Sequence, residues 1–71
     1  MSNITNNDRL TVVALKDGSK NSVDQNNAAT VIESIDKILA GDASEIQNLK
    51  TIVNALPASM LKTVCSRMTQ E

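Results

Sequence analysis

The chain reads as mainly α-helical, and three observations carry that reading. Aliphatic residues recur at spacings of three and four through its last two thirds, Gly41 and Pro57 punctuate those stripes, and two helix-capping signatures stand at residues 42–47. The predicted architecture is three short amphipathic helices, at about residues 24–40, 44–56 and 58–69. A flexible arm and a short β-strand over residues 10–15 precede them, and the whole is assembled as an oligomeric helical bundle. Residues 1–9 are the arm and residues 10–71 a single small helical domain, because no repeat or long linker divides the chain.

Met1 to Arg9 is polar, carries Asn3, Asn6 and Asn7, and shows no apolar period, which defines the arm. Leu10 to Leu15 reads L-T-V-V-A-L, rich in strand-preferring residues, and runs into the turn signal Lys16-Asp17-Gly18-Ser19. A strand is the first reading. A helical turn starting from Asp8 is the alternative, since Leu10, Val13 and Ala14 share a helical face. As a strand it has little intrachain company, for residues 19–22 are all polar. Leu10, Val12, Val13 and Leu15 are therefore candidates for antiparallel pairing with the same strand of a second copy, with a tight hairpin around Asp17-Gly18 as the other arrangement.

From Ser22 or Asp24 the period changes. Ala28, Ile32, Ile35 and Leu39 are spaced 4, 3 and 4, Val31 and Ile38 widen the stripe, and Glu33, Ser34, Asp36 and Lys37 fill the opposite side. Asp24 is the candidate N-cap and Gly41 the left-handed residue that ends this helix. Asp42-Ala43-Ser44-Glu45 and Ser44-Glu45-Ile46-Gln47 are overlapping capping boxes for the next, whose apolar positions are Ile46, Leu49, Val53 and Leu56. So short a link favours an antiparallel hairpin. Pro57 cannot continue that helix but suits the first turn of another, which sets Met60, Leu61, Val64 and Met68 on one side, Cys65 at its border, and Lys62, Ser66 and Arg67 facing away.

Composition narrows the function. At 71 residues with no Phe, Tyr or Trp, every buried side chain must be an aliphatic, a Met or the one Cys, and with neither disulfide nor metal a monomer is expected to be marginal. Self-association, or burial against a partner, is the remedy. Net charge is −1, which argues against a general grip on nucleic acid or an anionic membrane. The charge is unevenly distributed: an acidic middle (Glu33, Asp36, Asp42 and Glu45 against Lys37) precedes a basic end (Lys50, Lys62 and Arg67 against Glu71), and the two could pair within or between chains. The longest apolar run, Val12 to Leu15, is far short of the roughly 20 residues of a membrane span. With one cysteine and no secretory leader pattern, a cytoplasmic location is expected.

No constellation encodes a reaction. Without His, and with a single Cys, the chain cannot assemble a soft metal site alone, and the acidic residues lack the alternation of a calcium loop. Gly18 and Gly41 are too far apart to cradle a phosphate. Lys62 and Arg67 lie near Cys65 and could activate its thiol, but a half-buried structural cysteine is the simpler reading. No enzyme activity, cofactor or metal is expected.

The function expected is a small protein-binding regulator, adaptor or inhibitor, acting as a homodimer or larger symmetric oligomer and docking on a larger protein through an apolar helix face. Met60, Leu61, Val64 and Met68, with Leu49 and Val53, are the candidate partner or oligomer interface, methionine being adaptable to irregular surfaces; an intrachain three-helix core uses the same residues. Such a chain suits a virus- or plasmid-borne modulator. The alternative is a helix-turn-helix-like DNA-binding regulator over Ile46 to Met68, contacting DNA through Lys62, Ser66 and Arg67, although three basic residues and no stacking aromatic make nucleic acid the weaker partner. A structural component of a larger assembly is the third reading.

Overall fold

A computed structural model describes residues 4–70. Among them the chain forms α1 (Asn6–Gly18), α2 (Ser22–Leu39), α3 (Glu45–Ala55) and α4 (Met60–Thr69), and no strand. The helical class is as predicted; a helix more than predicted is present, and it occupies the segment read as arm and strand.

A capping box makes that first helix. The Asp8 amide donates to Thr5 Oγ1 at 3.3 Å while the Thr5 amide donates to Asp8 Oδ2 at 2.9 Å, so two amides without intrahelical partners are satisfied reciprocally. Residues 6–9 are thus the first turn of α1; residues 1–3 of the predicted arm lie outside the described residues. Leu10, Val12, Val13 and Leu15 continue the helix and pair with no strand. The helical face that is buried is not the one the sequence favoured either: Val12 is fully buried and Leu15 packs on the core, whereas Leu10 is 57% exposed. Valines cost a helix only about 0.7 kcal/mol each at most. A cap contributes about 1 kcal/mol and burying Val12 roughly 1.5–3 kcal/mol, so the helix wins.

Asn21, not Asp24, caps α2, its Oδ1 accepting from the Val23 amide at 2.8 Å. The other end closes as a Schellman motif: the Gly41 amide donates to the Ile38 carbonyl and the Asp42 amide to the Lys37 carbonyl, both at 3.0 Å, with Gly41 at φ 106°. Neither predicted capping box forms ahead of α3. Ser44 is already in the helical region and its side chain caps nothing. Glu45 turns away to α2, where its Oε1 accepts from the buried Ser34 hydroxyl at 3.0 Å and from Asn48 Nδ2 at 2.8 Å. The bond satisfies the one buried polar side chain and pins the start of α3 to the last third of α2. Leu56, ahead of Pro57, is forced extended, and Ser59 Oγ accepts from the Lys62 amide at 3.2 Å, so α4 starts at Met60, two residues later than the spacing suggests.

Short links make successive helices antiparallel neighbours, and α4 returns beside α1 to close the ring. Arg9 Nε meets Asp36 Oδ1 at 2.6 Å, holding the start of α1 on the end of α2; the pair is half exposed, worth about 0–1 kcal/mol. All four helices contribute to one core, with Val12, Ala28, Val31, Ile35, Leu49, Val53, Leu61 and Cys65 at its centre and Leu56 beneath the proline turn. The radius of gyration is 11.0 Å, against about 11 Å for a folded chain of this length. The accessible surface is 4411 Å², against about 4300 Å² for a monomer of this mass. The chain therefore buries as much of its total surface as an ordinary small monomer does.

Thr5→Ala should lower stability by about 1 kcal/mol and speed amide exchange in the first turns of α1, measured by urea denaturation and hydrogen exchange. An unchanged midpoint and unchanged exchange would mean that these residues are the loose arm after all.

Candidate functional site

The predicted docking face of α4 is largely consumed by the fold. Leu49 and Val53 of α3 are fully buried or nearly so, Leu61 is 5% exposed, and Met68 packs against the core, so these four hold the bundle together. Cys65, placed at the border by sequence, is at the centre of the buried face, and Val64 is the border residue. Met60 alone projects, 66% exposed. An acid at Leu61 or Met68 would test folding, not docking.

The predicted nucleic-acid residues behave differently. Lys62 and Ser66 turn toward the α3 side, Arg67 toward the outside, and two shallow depressions adjoin them, one along α4 by Ser59, Thr63 and Gln70 and one between α4 and α3 by Asn54 and Lys50. Lys62 Nζ reaches only the Asn54 carbonyl, at 3.4 Å, and Arg67 forms no ion pair with any described residue. From Ile46 to Gln70 there is no carboxylate, against three cations, whereas Glu33, Asp36 and Asp42 lie on or beside α2. The acidic middle and the basic end do not neutralise each other through these two cations. The α3–α4 unit is a side-by-side antiparallel hairpin: Asn54 meets Lys62, and Lys50 and Val53 share a groove with Ser66 and Thr69. A helix-turn-helix crosses its helices at about 90–120°, so its recognition helix stands free in a way that α4 does not.

A second surface was not anticipated. At the C-terminal end of α1 a groove of about 300 Å³ is lined by Ala14, Leu15, Gly18, Ala28, Leu61 and the projecting Met60, together with the polar Ser19 and Asp24. The strand-like composition of α1 concealed it; a helical wheel over residues 6–18 would have shown Leu10 on the solvent side.

Chemistry is sparse. Among the described residues no three His, Cys, Asp or Glu side chains gather to hold a metal, and no helix is long and apolar enough to cross a membrane. Burial pushes the Cys65 thiol up to about 11, so neither Lys62 nor Arg67 activates it and it stays protonated at neutral pH. No known protein family, characterised protein or solved structure matches the chain, and function has to be argued from these surfaces.

The Cys65 thiol also yields a pH prediction. Its folded pKa is raised above the unfolded value, so its stabilising contribution is complete below roughly pH 8.5 and is lost as pH rises toward 11. Wild-type stability should fall across that window, and Cys65→Ala, though less stable at pH 7, should lack that part of the slope; urea titrations at several pH values measure both. Parallel curves would show that the thiol titrates alike in the two states.

Proposed function

We propose that the chain is a small non-enzymatic protein-binding regulator that docks on an acidic surface of a larger protein through the outer side of α4. The observation that carries this reading is the carboxylate-free surface from Ile46 to Gln70, on which Lys62 and Arg67 present cations that no described acid neutralises. The Ser66 hydroxyl and the Gln70 amide stand beside them, so an incoming carboxylate meets hydrogen-bond donors as well as charge. Exposed pairs are worth about 0–1 kcal/mol each, so this charge chiefly steers the encounter and fixes orientation. The reading replaces docking through the apolar face of α4, which packs on the chain's own core.

The same surface favours a second reading, contact with the phosphates of duplex DNA. Two or three cations on a chain of net charge −1 supply little affinity, and the hairpin does not offer α4 to a major groove. The acidic protein partner is therefore preferred.

A polyglutamate peptide and a 20-base-pair duplex, each titrated at 50 mM salt, separate the two. The peptide should bind, weaken with salt, and lose at least tenfold in affinity with Lys62→Glu. No peptide binding, or binding indifferent to Lys62→Glu, rejects the proposal. Tighter binding of the duplex, with a salt slope that falls by about 2 in Lys62→Ala with Arg67→Ala, selects DNA instead.

A further inference from the structure

We infer that the seam between α1 and α4 is a two-fold interface with a second copy of this chain, which meets the proposed docking surface at Arg67 and leaves Lys62, on the α3 side of α4, outside it. Among the described residues, two of the four large exposed apolar side chains belong to this part of the surface, Leu10 at 57% and Met60 at 66%. Ala14, one turn beyond Leu10 on the same side of α1, shares the groove with Met60, and Val64, one turn beyond Met60, is half-buried. Leu10, Ala14, Met60 and Val64 thus form an apolar strip along two adjacent helices, where scattered single residues would need no explanation.

The register makes the strip self-complementary. The groove sets Met60 level with the last turn of α1, and because the helices are antiparallel, Arg67, two turns along α4, lies level with the first turns of α1. Asp17 stands at one end of the strip and Arg67 at the other, both exposed, and neither has an ion-pair partner among the described residues. A two-fold axis lying in this face along the diagonal from Leu10 to Met60, crossing the seam at about the level of Val13, sets Leu10 and Met60 each against its own copy and exchanges Asp17 with Arg67. The helices of the two copies therefore cross, with each large side chain against its counterpart and each charge near its opposite, as an isologous contact requires.

The size is adequate. With extents of 32 × 19 × 15 Å, a long face projects on the order of 500–600 Å². Surface relief raises that toward the roughly 800 Å² per partner of a standard interface. The fold does not need this contact, since its surface is that of an ordinary monomer, so the dimer joins two folded units.

Sedimentation velocity of the full chain tests it, with circular dichroism to confirm that each variant is folded. Wild type should run as a dimer at tens of micromolar, twice 7.6 kDa. Leu10→Asp and Met60→Asp, both at exposed positions, should be folded monomers. Asp17→Arg and Arg67→Asp should each weaken dimerisation about tenfold or more, since each places like charges together twice, and the double variant Asp17→Arg with Arg67→Asp should restore it. A chain monomeric at 1 mM, a dimer indifferent to Leu10→Asp and Met60→Asp, an unrescued double variant, or open-ended polymers would each overturn the inference.

Discussion

The bundle depends on one constraint: a core of aliphatic side chains with no aromatic ring must be closed by four short helices of 10–18 residues. An aliphatic side chain spans less of an interior than a ring does, so no two or three of these helices can enclose the residues that the chain must hide. The fourth layer comes from α1, which places Val12 on the same cluster as Val31, Ile35, Leu49, Val53 and Cys65. The thinness of the core determines the topology, and the topology decides which faces remain outside.

What remains outside is organised by charge. The acids of α2 and of the α3 start either serve the fold, as Asp36 does with Arg9 and Glu45 with Ser34, or face water, while no acid among the described residues pairs with the α4 cations. A small chain of nearly zero net charge can still present a directional field when one helix carries cations and no carboxylate, as α4 does.

The last three helices were legible because their punctuation is local. Gly41 sits at positive φ where α2 ends, and Pro57 forces Leu56 out of the helix, so both boundaries follow from backbone sterics that no tertiary contact overrides. The first helix was obscured because L-T-V-V-A-L carries strand preference, while its start signal, Thr5-Asn6-Asn7-Asp8, stood in a segment dismissed for its polarity. The capping boxes at 42–47 failed for a different reason: Glu45 had a better partner in Ser34, eleven residues away in sequence. The candidate site on α4 was misread by one residue's rotation. Met60, Leu61, Val64, Cys65 and Met68 make an apolar arc wider than the face that packs, and only the positions of α1 and α3 select Leu61, Cys65 and Met68 as the inner set.

The thin core also sets how the protein meets temperature. Heat capacity of unfolding scales with the apolar area newly hydrated, about 12–15 cal/mol/K per residue, or roughly 1 kcal/mol/K for a chain of this size. So small a value flattens the stability curve and broadens the melting transition. The molecule loses little on cooling and yields gradually on heating, a tolerance that follows from having no aromatic rings and little oil to expose.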